Sequence, residues 1–243
     1  MEFKEDASST KKPVLCRLII NVTMSNNCTI VVLPGFGCDS TIFERLELPS
    51  EKVIFLDWIT PLKKETLQQY AARLITPEMR YSKQLVLIGH SFGGVVMQEI
   101  GQILQPEKII LISSLTSRKG LSRGLHLVRN LGLHIWVHKP TIKGTIWMWR
   151  KGAGLQGEMK LKYKRSMNSL ENRYYGWAVK NLARWNPLPS EHPNTHLIIG
   201  SADGVFSLKN ADNPIVVEGG DHMMVFKKPK EVSEIIGQLL AGI

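Results

Sequence analysis

A serine set between glycines, Gly89-His90-Ser91-Phe92-Gly93, is where this sequence first suggests chemistry. G-x-S-x-G is a short pattern that chance supplies, and a serine in such a loop often only shapes a turn. Here an apolar run, Gln84–Ile88 (QLVLI), leads straight into it, and a helical pattern, Gly93–Leu104, leads straight out. That context predicts a sharp strand-to-helix turn that lifts the hydroxyl above a sheet, as nucleophilic attack on a carbonyl requires. Glycines at 89, 93 and 94 leave room for the turn, and the helix N-terminus favours negative charge beside the serine.

A serine hydroxyl is a weak nucleophile until a base takes its proton. The chain has seven histidines. His90 adjoins the serine and is expected to point elsewhere. His126, His134 and His138 fall in a basic stretch, where solvated or packed rings are expected. His222 lies in Gly219-Gly220-Asp221-His222, between the last short strand and the last helix, and is the candidate base. In chains with a serine on such a turn, the acid and then the histidine follow later. Asp203, in Gly200-Ser201-Ala202-Asp203-Gly204, is therefore the residue expected to orient the imidazole. Asp212 lies nine residues farther on in a polar loop, and Asp221, as a sequence neighbour of His222, is expected to project away. Charge developing on the carbonyl oxygen needs preorganised donors. The candidates are the backbone N–H of Phe92 and that of Phe36, in Leu33-Pro34-Gly35-Phe36-Gly37. Outside this context the same residues would be a turn aspartate, a capping loop histidine and an ordinary Pro-Gly turn.

The elements that must position these groups follow from the apolar pattern. Thr29–Leu33, Val53–Leu56, Gln84–Ile88, Lys108–Ile112, His196–Ile199 and Ile215–Val217 are short, continuous, β-branched runs, as buried parallel strands are. Helical patterns over Leu67–Ile75, Gly93–Leu104 and Pro229–Leu240 alternate with them. The fold class is therefore α/β, a mostly parallel, doubly wound sheet. From about Leu115 to Pro193 no strand of this kind occurs. Helix-compatible stretches there (Leu125–Leu133, Met159–Leu170, Tyr175–Trp185) predict a helical insertion, because a structureless loop of that length is implausible in a compact domain. The expected organisation is core over 24–114 and 194–243, an insertion over 115–193, and a polar N-terminal extension over 1–23 that is poorly ordered or adds an edge strand. Met24 is an alternative start.

Composition limits the possibilities. With 243 residues, 43% hydrophobic and 21% charged, the chain suits one globular domain with an insertion. The three cysteines, Cys16, Cys28 and Cys38, form no disulfide framework and fit a reducing, cytoplasmic setting. No run reaches the roughly 20 apolar residues of a membrane span, no metal-ligand spacing occurs, and no cofactor is expected. The net charge of +10 is unevenly spread. Leu115 to Asn186 holds 15 basic residues against Glu158 and Glu171, a net of +13, which leaves −3 elsewhere. The same interval holds five of the six tryptophans, among them Trp136, Trp147, Trp149, Trp177 and Trp185. With the methionines 148, 159 and 167, these either line an apolar channel or form the insertion's own core. The charge either solvates an outer face or attracts an anionic partner: a carboxylate-bearing ester, an acidic acyl carrier or an anionic surface. No nucleic-acid recognition motif accompanies it.

Taken together, LPGFG, GHSFGG, GSAD and GGDHMM resemble the α/β-hydrolase superfamily, over residues 29 to 240. The resemblance implies an eight-stranded sheet, of which six strands are legible here, the others being shortened or supplied by Pro13–Thr23. It implies that the insertion is a lid over the nucleophile. It also implies a serine hydrolase acting on a small-molecule carboxylic ester or thioester through an acyl-enzyme. Acyltransferase and C–C hydrolase chemistry share this fold, as do catalytically silent binding proteins, though the latter commonly lose a member of the triad and all three are present here. Epoxide-type relatives carry aspartate where this chain has Ser91. Many relatives have His-Gly where this chain has Pro34-Gly35.

Overall fold

The computed structural model describes residues 28–120, 130, 140–144, 150, 152–186, 192–206 and 208–241. The expectations for Pro13–Thr23, Cys16, Met24, Trp136, Trp147, Trp149, Met148 and the three histidines of the basic stretch lie outside these residues, as does all but one residue of the helix expected over Leu125–Leu133.

Apolar runs become strands where both faces are covered. β1 (Cys28–Leu33) is buried along its whole length, and β3 (Gln84–His90) and β4 (Lys108–Ile112) at every residue but the first. With β2 (Lys52–Phe55), β5 (Thr195–Gly200) and β6 (Ile215–Val217) they form a sheet ordered β2-β1-β3-β4-β5-β6, parallel throughout among the described residues. β2 and β6, at the edges, are the less buried strands. The chain leaves β1 for one edge and returns on the other side as β3. A crevice forms where the strand order reverses, at the carboxyl ends of β1 and β3.

Helices cover the sheet. α1 (Leu67–Leu74) starts at a capping box between Thr66 and Gln69 and buries Leu67, Tyr70, Ala71 and Leu74, one helical stripe. α2 (Pro77–Arg80) is one short turn with proline in its first turn. α3 (Phe92–Leu104) is buried from Phe92 through Gly101, since it packs on the sheet while α1 and the insertion cover its other side. The sequence places its start one residue late.

Between β4 and β5 run α4 (Gly157–Ser169) and α5 (Asn172–Arg184), which begin two and three residues before the expected stretches. α6 (Met224–Lys227) and α7 (Pro229–Leu240) follow β6. α5 docks through aromatic groups whose polar atoms all find partners. Trp177 Nε1 donates to the Glu65 carbonyl at 2.9 Å, and Trp185 Nε1 to the Glu99 carboxylate at 3.0 Å. Trp177 packs on Tyr70, with ring centroids 4.2 Å apart, and edge-on to Phe92 at 5.9 Å. Burying side chains of this size stabilises the fold by about 1.5–3 kcal/mol each. No described helix is long and apolar enough to cross a membrane.

Candidate active site

Ser91 falls between β3 and α3 with φ 52° and ψ −123°, a conformation that costs a non-glycine residue about 1–3 kcal/mol and must be held by its surroundings. Three hydrogen bonds hold it. Its N–H donates to the Ile112 carbonyl at 2.9 Å, and its carbonyl accepts from Gly94 N–H at 3.0 Å and from Ser114 Oγ at 2.7 Å. The turn is tight enough that a Cβ on Gly89 would lie 2.4 Å from Gly94 Cα, which explains the glycine pair.

The loops carrying Asp203 and His222 are zipped together. Ser201 N–H donates to the Val217 carbonyl at 3.0 Å, Ala202 N–H to the Gly220 carbonyl at 2.9 Å, and Gly219 N–H to Ser201 Oγ at 2.8 Å. A Cβ on Gly200 would stand 2.0 Å from the Gly220 oxygen, so only glycine lets the two loops come this close.

The structure brings Ser91, His222 and Asp203 into one line. His222 Nε2 is 2.9 Å from Ser91 Oγ, and His222 Nδ1 is 2.9 and 3.1 Å from the two Asp203 carboxylate oxygens. With a carboxylate on its Nδ1 side the ring carries its proton there, which leaves Nε2 as acceptor for the serine hydroxyl. The Asp203 side chain is fully buried. Burial alone would raise its pKa, but the His222 charge, the His222 hydrogen bond and the N–H groups of Val205 and Phe206 outweigh it and hold the carboxyl at about 2. Asp212 is exposed. Asp221 turns toward Met223 N–H and Lys227 Nζ, away from the imidazole.

Phe36 and Phe92 flank the serine, and neither N–H is engaged in a described hydrogen bond. For Phe92 the reason is its place at the first position of α3, where an amide has no acceptor within the helix. The loop carrying Phe36 is gripped from both sides. Trp58 Nε1 donates to the Gly35 carbonyl at 3.1 Å, Gly37 N–H donates to the Tyr174 hydroxyl at 3.4 Å, and the Phe36 and Tyr174 rings stack with centroids 5.8 Å apart.

Sequence reasoning did not find Trp58, Tyr174 or His90 as supports. His90 does point away from the serine hydroxyl, but its Nε2 reaches the His222 carbonyl at 2.8 Å, so its neutral ring donates there. Its Nδ1 lies over Gly35, where a Cβ would come within 2.6 Å. Burial, then the neighbouring His222 charge, lowers its pKa to about 3. The three supports come from separate segments, and only adjacency to Ser91 marked any of them.

A cavity of about 440 Å³ opens over the serine. It is lined by Gly35, Phe36, His90, Ser91 and His222, and by Ile142, Ala153, Leu155, Tyr163, Val179 and Leu182, all six from the interval between β4 and β5. Trp177, Trp185, Met159 and Met167 do not line it and are buried in the packing of that interval. Among the described residues no group of His, Cys, Asp and Glu is arranged to hold a metal ion.

Residues 28–235 match the sequence profile of the alpha/beta hydrolase family. Among solved structures the chain is similar to a thermophilic esterase from Thermogutta terrifontis, at 16% identity over 89% of this chain and 90% of that one, TM-score 0.64. It is also similar to a hydrolase from Oleispira antarctica, at 14% identity over 92% and 94%, TM-score 0.63. A third is the RedJ thioesterase of the prodiginine biosynthetic pathway in Streptomyces coelicolor, at 15% identity over 90% and 91%, TM-score 0.61. At such identities the likeness concerns the fold. A search of curated protein sequences finds no match.

Proposed function

The chain belongs to the alpha/beta hydrolase family, and from that premise we propose that it cleaves a carboxylic ester or thioester through an acyl-enzyme on Ser91. The observation that carries this reading is the 2.9 Å contact between Ser91 Oγ and His222 Nε2, with both Asp203 oxygens on the opposite ring nitrogen. As Oγ attacks the carbonyl carbon, its proton passes to Nε2, and the charge on the ring is balanced by the buried Asp203 carboxylate. The carbonyl oxygen, now negative, takes hydrogen bonds from the N–H groups of Phe36 and Phe92. Collapse of the tetrahedral adduct breaks the bond to the alcohol or thiol, which leaves with the proton from Nε2. Water then repeats the sequence on the acyl-serine, His222 taking its proton and returning one to Oγ, which releases the acid.

The α4–α5 segment acts as a lid in this reading, which is supported by Tyr163, Val179 and Leu182 lining the same cavity as Ser91. Lys160, Lys164 and Arg165 are exposed on α4 and suit an anionic partner outside the cavity, such as an acidic acyl carrier. Cys28 and Cys38, both buried and unbridged, agree with a reducing, cytoplasmic setting. A fluorophosphonate probe tests the core of the proposal. It should label the wild type once, at Ser91, and fail to label Ser91→Ala; labelling that persists in the variant removes Ser91 from the role.

A further inference from the structure

The positive charge on the described residues of the interval between β4 and β5 does not line the cavity. Among the described residues lining it there is no lysine, arginine, aspartate or glutamate. Away from the triad the described lining is largely apolar, with Leu155, Val179, Leu182, Val205, Phe206 and Met223 among it. A charged group placed there would lose its hydration and find no counter-charge among the described lining residues.

The half of the substrate that occupies such a cavity can be argued from the order of steps. The leaving group must take its proton from His222 and depart before water can reach the acyl carbon. The acyl half stays on Ser91 throughout, so the apolar space beside the serine is assigned to it. At about 30 Å³ per water-sized group, the 440 Å³ cavity holds on the order of a dozen non-hydrogen atoms.

We propose that the cavity selects a neutral acyl group of medium length, about eight to ten carbons by that volume, and rejects acyl groups that end in a charge. The inference rests on the reading of Ser91 as nucleophile. Ala153, buried and lining the cavity just before α4, is a small residue where added bulk would take up part of the space.

The test is kcat/KM for p-nitrophenyl esters from acetyl to palmitoyl, with the octanoyl ester set against its carboxylate-ended counterpart of equal length, the p-nitrophenyl half-ester of suberic acid. We expect kcat/KM to climb about three- to fourfold per methylene, as burial of apolar surface dictates, to peak near octanoyl or decanoyl and to fall by palmitoyl. The suberate half-ester should be at least about a hundredfold poorer than the octanoyl ester, the fold-change that an unpaired buried charge implies. Ala153→Phe should move the maximum to a shorter chain and lower the ratio of octanoyl to acetyl activity. The wild-type series decides the matter even if that variant does not fold. Equal turnover of octanoyl and suberate esters, or a flat response to chain length, while a fluorophosphonate still labels Ser91, overturns the cavity inference and leaves the hydrolase standing. Absence of both labelling and turnover overturns the two together.

Discussion

At the scale of single residues, Asp203 and His90 act on His222 from opposite sides, one through the ring and one through the backbone. Replacing Asp203 by asparagine keeps the shape but removes the charge and permits the wrong imidazole tautomer, so kcat on an activated ester should fall by about 10³–10⁴. Near wild-type turnover in Asp203→Asn, with loss in Asp212→Asn, would move the acid to Asp212. His90 predicts a pH effect on stability. An unfolded histidine takes up its proton near pH 6.5, whereas the folded His90 resists it until about 3. Its contribution is therefore whole above pH 6.5 and is lost as pH falls toward 3, by at most about 1.4 kcal/mol per unit. Asp203, with its carboxyl held at about 2 against a usual 3.8, adds a loss of the same sign below pH 3.8. Urea unfolding at pH 7, 5.5 and 4.5 should show stability dropping in the first of these windows. His90→Asn should be less stable at pH 7 yet flatter below it; an unchanged slope in the variant removes His90 as the source. Ser91 and His222 were legible in the sequence because each sits in a glycine-marked turn next to a regular element. Trp58, Tyr174 and His90 were not, because a grip between segments far apart in sequence leaves no periodic trace in any of them.

At the scale of elements, the strands were read almost to the residue, since a parallel strand covered on both faces is an unbroken apolar run. The short α2 and α6 escaped because one turn is too brief to show a helical period. The starts of α4 and α5 were missed by two and three residues, because the first two residues of each helix are exposed and outside the apolar stripe; Tyr174, third in α5, is buried. The structure also divides the basic residues of α4 by function. Lys162 Nζ is 2.8 Å from Glu44 and lies over the Phe226 ring, which Arg45 also covers while it pairs with Glu158 at 2.6 Å. These groups tie α4 to the core, whereas Lys160, Lys164 and Arg165 face solvent. Reversing those three to glutamate should lower kcat/KM for a carrier-linked acyl group severalfold at low salt and leave a small neutral ester nearly unchanged, with the difference vanishing as salt screens charges beyond about 10 Å. An equal response of both substrates across the salt series assigns the three to solvation only. Lys162→Glu should instead lower the thermal midpoint by a degree or two, a cost of about 1 kcal/mol or less for an exposed pair.

At the scale of the whole molecule, four neighbouring strands, β2-β1-β3-β4, come from one stretch of chain, Cys28 to Ile112, while β5 and β6 arrive only after the long interval that ends at Thr195. Long-range parallel pairing forms slowly, and domains of this size commonly fold through populated intermediates. On refolding from urea, burial of Trp58, the tryptophan within that first stretch, should therefore run ahead of fluorophosphonate labelling; coincident time courses would mean that the sheet closes as a single unit. The strand order also has a temporal meaning. A ribosome delivers Ser91 and its elbow while Asp203 and His222 have yet to be made, so the nascent chain holds the hydroxyl without the imidazole that meets it in the fold. In the proposed mechanism the elbow is therefore unarmed when it forms, and chemistry waits until the loops of Asp203 and His222 close over it.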